Sequence, residues 1–476
     1  MKKSIIALLL LSASAAVFAQ KEGLKYLDSS FEVYDALSHS LWEEPELGYL
    51  EYRSVEKLTA HLEANGFNVE KGIAGIPTAF VASFGSGGPV IGILAEYDAL
   101  PGLSQAAVPY PQPVVEGAPG HGCGHNLLGT GSVAGAVAIS KWLAAGHKGT
   151  VKLFGCPAEE GGGGKAYMVR EGCFDGVDAM LDWHPDVRNT VNRVSGLANV
   201  QVRFVFHGKS AHASSGPQNG RSALDAVEAF DYMMNLMREH VPSDSRIHYA
   251  ITDGGKAPNI VPDRAEVLYY IRNPRRTVVG DILNRAVKAA EGAAMGTGTT
   301  MEYEIVSGNY ERLPNVTMSE LIFSKLRQCG GVKYSESERS FAETMMLGSG
   351  IDRDKIASLI EQAATVSEPV AGGNESWVSS DVGNVTWVVP TGSIRVAAFV
   401  PAGGGHCWQQ TASAGMTIGT KGLLLAARTF YLTALELYKD RDLLRRVQEE
   451  FEARRGKDFR FEPLMGDRKP TFDYRK

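Results

Sequence analysis

Five short stretches of this 476-residue chain gather the residue types that bind metals and move protons. They are Ala95-Glu-Tyr-Asp-Ala-Leu-Pro101, Gly120-His-Gly-Cys-Gly-His-Asn126, Cys156-Pro-Ala-Glu-Glu160 followed by four glycines, Asp182-Trp-His184, and Gly403-Gly-Gly-His-Cys407. Singly, each has a plain structural explanation. A lone His or Asp at a strand end caps a turn, and adjacent glutamates are solvated charge. Together, cysteine, histidine and glutamate offer thiolate, imidazole and carboxylate donors, a set suited to zinc or a similar divalent ion. Adjacent carboxylates at a turn can divide the work, one binding metal and the other handling protons. Cys123, flanked by His121 and His125, is the thiolate candidate.

Such residues need a frame that brings distant stretches together. Short β-rich runs at 78–84, 90–94, 150–154 and 177–181 alternate with helical patterns at 127–143 and 165–171. That alternation predicts an α/β fold, a mostly parallel sheet with helices on both faces. Ligands bind such sheets beyond the carboxyl ends of the strands, where the polar stretches fall. The middle of the chain differs. Strand patterns at 199–206, 246–252, 265–272 and 300–306 enclose helical patterns at 222–239 and 281–295. The order βαββαβ is that of a ferredoxin-like α+β domain. The expected architecture is a catalytic domain of residues 20–197 and 312–476, interrupted by an inserted domain at 198–311. A long helix is expected at 422–438, and the charged stretch from Lys439 on reads as a solvated helix and tail.

Residues 1–19 read as a secretory signal peptide. Lys2 and Lys3 precede the apolar run Ile5 to Leu11, and Val17-Phe18-Ala19 places small residues at a cleavage site. The run is short of the ~20 residues that span a bilayer, so no membrane anchor is expected, and the protein reads as exported and periplasmic. A net charge of −6 argues against a nucleic-acid partner. Ordinary composition excludes a disordered or fibrous chain. The five cysteines show no disulfide framework, and at least one must stay unpaired. Gly129-Thr-Gly-Ser-Val-Ala134 imitates a dinucleotide fingerprint but follows a loop, and no G-x-S-x-G elbow is present.

Taken together, EYDALPGL, GHGCGHN, PAEEGGGGK, GKSAHAS, Pro258-Asn-Ile-Val-Pro-Asp263 and Ser380-Asp-Val-Gly-Asn-Val-Thr-Trp387 resemble the co-catalytic metallopeptidases related to aminoacylase, glutamate carboxypeptidase and plant auxin-conjugate amidohydrolases. The resemblance spans nearly the whole mature chain. It implies that Cys123, His125, Glu160, His184 and His406 hold one or two divalent ions, zinc or manganese. It further implies that Glu159 is the general base and that Asp98 orients a metal-binding histidine. The 198–311 domain would be a lid and dimerisation domain in a homodimer, sending His212 into the partner's site. Asn259 and Arg272 would hold the substrate carboxylate. Many relatives carry His-x-Asp where this chain has Glu96-Tyr-Asp98, which argues against metal ligation by residue 96. The implied activity is hydrolysis of N-acyl or N-aroyl amino acids, or of dipeptides. Two rival readings are a metal-independent amidase using Cys123 and His125, and an exported peptide-binding protein without turnover.

Overall fold

The computed structural model describes residues 22–369 and 378–472, so the expected signal peptide lies outside the described residues. The strands are β1 (Asn68–Lys71), β2 (Phe80–Ser86), β3 (Val90–Ala95), β4 (Gly149–Gly155), β5 (Ala179–Asp186), β6 (Thr190–Asn192), β7 (Ala198–His207), β8 (Arg246–Asp253), β9 (Arg264–Asn273), β10 (Thr300–Asn309) and β11 (Thr391–Ala397). The first helices are α1 (22–29), α2 (Phe31–Glu43), α3 (Tyr52–Ala64), α4 (His125–Ala144) and α5 (Gly164–Arg170). Then come α6 (Ala223–Met237), α7 (Arg276–Thr297), α8 (Val316–Cys329), α9 (Glu336–Gly348) and α10 (Arg353–Ala363). The last are α11 (Val382–Thr386), α12 (Trp408–Ala414), α13 (Thr417–Lys439) and α14 (Arg441–Arg455).

A seven-stranded sheet has the order β1-β2-β4-β3-β5-β11-β6. Its centre, β4-β3-β5-β11, is parallel, and antiparallel strands close the margins. Successive side chains along these strands alternate between two cores. Ile91, Ile93, Val151, Leu153 and Leu181 face one core with α4 and α13, whereas Leu94, Phe154 and Met180 face another with α5 and α11. Both faces of the sheet are therefore covered, as a parallel sheet requires. The axis of this half is α4. Gly129 lets it lie against β3, because a Cβ there would stand 2.7 Å from the Glu96 carbonyl oxygen. It is the one helix among the described residues long and apolar enough to cross a membrane, and it is buried in the core.

The second sheet is antiparallel, β10-β7-β9-β8, with α6 and α7 packed on one face over Phe204, Phe230, Val267 and Ile282. Its elements follow in the predicted βαββαβ order.

Two local expectations change. The strand expected to stop at Leu181 continues through Asp186, so Asp182 and His184 share one strand face while Trp183 enters the core. The C-terminal stretch is a docked helix rather than a solvated one. In α14, Leu443, Leu444, Val447 and Phe451 are buried, and Glu450 accepts the N–H groups of Val316 and Thr317 at 2.8 Å each. Its apolar residues keep helical spacing, which the surrounding charges obscure in the sequence. All five cysteines are free thiols.

Candidate metal centre

His125 opens α4, directed by Gly124, whose left-handed φ of +73° turns the chain into the helix. The ring is fully buried. Its Nδ1 faces Asp98 Oδ1 at 2.9 Å, leaving Nε2 with no hydrogen-bond partner among the described residues. Second contacts of this kind fix the tautomer of metal-binding histidines. Asp98 serves two sides at once, because Oδ2 accepts the backbone N–H of Glu160 at 2.9 Å. Burial opposes ionisation of Asp98, yet His125 and this N–H hold its carboxyl below the usual range.

His184 is prepared in the same way. Its Nδ1 is 2.7 Å from the Pro185 carbonyl, and its Nε2 lies 3.3 Å from the Cys123 sulfur. Burial, reinforced by Arg395, lowers its pKa to about 4, so the ring is neutral near pH 7. A neutral ring is the ligand form. Burial and Glu160 push the Cys123 thiol up. That is the reverse of a thiol activated for nucleophilic attack.

Glu159 and Glu160 stand on the turn after β4. Ala158 holds φ +57° there, and its N–H is fixed by the buried Glu51 carboxyl group, whose Oε1 accepts it at 2.8 Å. This turn aims Glu160 at His406, with Oε1 3.4 Å from the exposed imidazole Nε2. Burial, then Glu96 and Glu160, push the Glu159 carboxyl well above its ordinary range.

The donors converge in three groups, each within 4.8 Å: Cys123/His125/His184, Cys123/Glu160/His406 and Glu96/His125/Glu159. All five residues expected as ligands are in the first two groups, and Cys123 belongs to both. A buried imidazole nitrogen that makes no hydrogen bond, beside a sulfur and carboxylates, fits a divalent ion.

Of the other expected residues, Arg272 borders the same opening as Glu159, Glu160 and His406. It stacks on Tyr270 and donates to Ser379 Oγ at 3.3 Å. His212 and Asn259 do not join it: neither lines the cavities bordering the donors. They share an exposed loop pair in the small domain, where the Asn259 carbonyl accepts the Ala213 N–H. There His212 Nδ1 accepts the N–H groups of Ser214 and Ser215, leaving the proton on Nε2.

Sequence reasoning missed a buried layer behind the donors. Lys165 pairs with Glu96 Oε1 at 2.7 Å and Asp381 Oδ1 at 2.6 Å. It also missed Arg312 and Arg395, which line the cleft while bound to Asp182 and Asp186. A lysine just after four glycines is the one visible signal, and by itself it suggests only a phosphate loop.

Residues 92–347 match Peptidase family M20/M25/M40. The chain is 40% identical to a subunit of the p-aminobenzoyl-glutamate hydrolase of Escherichia coli, covering 90% of this chain and 95% of that one. It is 29% identical to Xaa-Arg dipeptidase of Mus musculus, over 93% and 94%. Its fold is similar to that of a dinuclear metal binding peptidase of the M20 family from Bacillus subtilis, with a TM-score of 0.56, 18% identity, and 87% of this chain and 99% of that one covered. Family match, length-wide identity and fold agree: the chain belongs to Peptidase family M20/M25/M40.

Proposed function

We propose that this amide-bond hydrolase cleaves N-acyl or N-aroyl amino acids, of the p-aminobenzoyl-glutamate type, or dipeptides. The observation that carries the reading is the convergence of Cys123, His125, Glu160, His184 and His406 beside Glu159 in one cleft. Relatives named for p-aminobenzoyl-glutamate and for Xaa-Arg dipeptides bracket the substrate class. When bound, a divalent ion supplies Lewis acidity toward the scissile carbonyl and acidifies water. Cys123, His125, Glu160, His184 and His406 are the residues that would hold it. The mixed thiolate, imidazole and carboxylate donors are compatible with zinc or manganese, and the sharing of Cys123 by two donor groups supports two ions.

Glu159 takes the proton of the attacking water and delivers it to the leaving amine. Asp98 holds His125 in one tautomer and fixes the Glu160 turn. Arg272, which borders the cleft, binds the free carboxylate next to the scissile bond, a charge-assisted contact, and is joined there by Asn259 of the partner subunit. His212 of the partner subunit, protonated on Nε2, donates to the developing oxyanion. This role requires a homodimer. The edge of β8, unpaired among the described residues and with Tyr249 and Ile251 exposed on it, supports one through the small domain.

The chain is exported and processed after Ala19, a reading supported by Lys2-Lys3, the apolar run and Val17-Phe18-Ala19. A mature N-terminus at Gln20 in the periplasmic fraction is the expected result.

The reading is tested by metal analysis of the purified protein, followed by a mass-spectrometric screen of N-acyl amino acids and dipeptides. Turnover that vanishes on chelation and returns with zinc or manganese is expected. Undiminished turnover after exhaustive chelation would instead favour the Cys123 amidase.

A further inference from the structure

Lys165 is the second residue of α5, and its side chain is fully buried. A buried ammonium needs counter-charges, and two carboxylates supply them. Asp381 holds the residue at both ends: Oδ1 meets Nζ at 2.6 Å and Oδ2 accepts the backbone N–H at 2.9 Å. Glu96 gives Oε1 to Nζ at 2.7 Å. The other oxygen, Glu96 Oε2, lies 3.3 Å from His125 Nε2, the nitrogen left over when Asp98 takes Nδ1. By donor type alone, Glu96, His125 and Glu159 are a third metal-binding group, all within 4.8 Å. That group would compete with the two built on Cys123 and would consume the carboxylate assigned to proton transfer.

We infer that Lys165 is a positioning residue that reserves Glu96 as its counter-ion, keeping Glu96 out of metal coordination and confining ions to the groups built on Cys123. The two uses of Glu96 compete for one negative charge, because Oε1 is committed to Lys165 while Oε2 faces His125. To ligate as a full anion, Glu96 must loosen its hold on an ammonium that is sealed from solvent. The Asp381 pair keeps that ammonium in place from the opposite side. Glu159 is then left free to carry a proton. This inference rests on the metal-dependent reading above and concerns the coordination that goes with it.

Cobalt reports coordination directly, because its visible bands weaken as the coordination number rises. The demetallated full chain is titrated with Co²⁺, following the spectrum, the half-saturating concentration and the number of ions bound. Two variants separate the possibilities. The double variant Lys165→Met/Asp381→Asn removes the ammonium without stranding a second charged carboxylate. It is expected to release Glu96 as a ligand, weakening the bands and lowering the half-saturating Co²⁺ about tenfold, the scale on which outer partners tune metal sites. Adding Glu96→Gln to that variant is expected to restore the parent spectrum.

Glu96→Gln alone retains an acceptor for Lys165 and the Asp381 pair, so its fold is kept even if the double variant does not fold. It is expected to bind the same number of ions with the parent spectrum. A changed spectrum or a lost ion in Glu96→Gln alone overturns the inference, as does a parent-like titration of the folded double variant. A parent chain that takes up no Co²⁺ defeats the metal-dependent reading itself.

Discussion

Glu159 and Glu160 are neighbours on one turn, yet their surroundings set them to different tasks. Glu160 is tied through its backbone to Asp98 and faces His406, whereas burial, and then the carboxylates around it, raise the pKa of Glu159. Glu159→Gln is expected to keep the full metal content but to lose about 10²–10⁴-fold in kcat, the scale of a lost general base. Elemental analysis and steady-state kinetics on the same preparation check both halves. Cys123→Ala removes a donor from two groups at once and is expected to lower the bound metal by at least one ion per chain, read by elemental analysis after dialysis.

Glu51 behaves differently. Burial, with Asp98 nearby, raises it from 4.5 to about 8. Between those values the folded chain keeps a proton that the unfolded chain has released, so the stability it contributes is full at low pH and is lost as pH rises through about 8. Glu51→Gln cannot ionise, and its melting temperature is expected to decline less across that range than the parent's, by calorimetry. The donors were legible in the sequence because their types and strand-end positions speak for themselves. Glu51 and Lys165 were not, because burial and a partner as distant as Asp381 make them what they are.

Elements deliver these groups by turning the chain sharply at their ends. The start of α4 needs the left-handed φ of Gly124, and a Cβ there would sit 2.7 Å from the Phe399 ring. Gly124→Ala is expected to cost about 1–3 kcal/mol, from strain at a special backbone conformation with added crowding. It is also expected to weaken metal binding, since His125 is the next residue. Urea unfolding and a metal titration measure the two effects. The order of β2 to β5 with α4 and α5, and the whole βαββαβ insertion, was readable from apolar periodicity, whereas β1, β6, β11 and α8 to α10 were not singled out. The end of β5 was not. Asp182 and His184 look like loop residues by type, but they alternate with the buried Trp183 and pair in register with Ser393 and Arg395 of β11. Pairing overrides local polarity there. In α14 the error ran the other way, because charge hid an apolar stripe that docks on α8.

At the scale of the molecule, the small sheet ends in two edge strands, β10 and β8, each paired on one side only among the described residues, and β8 is the edge on which Tyr249 and Ile251 are exposed. If that edge meets its copy in a homodimer, Tyr249→Glu is expected to yield monomers by analytical ultracentrifugation. Those monomers should retain metal and lose most turnover, because the role proposed for His212 is exercised across that interface. A mixed assembly with a second, related chain would contradict the proposal. The two-sheet plan was visible in the change of pattern along the chain, but the wall facing the donors was not. Tyr310 and Arg312 follow β10 and Ser379 precedes α11, two segments that only folding brings together. The placement of α4 has a consequence for how such an enzyme changes over time. The helix that bears His125 is sealed in the core for nearly its whole length, so almost any alteration of it disturbs the fold. The opposing wall is made of strand ends and connecting segments that tolerate exchange. Substrate preference can therefore drift on one side of the cleft while the chemistry on the other side stays fixed.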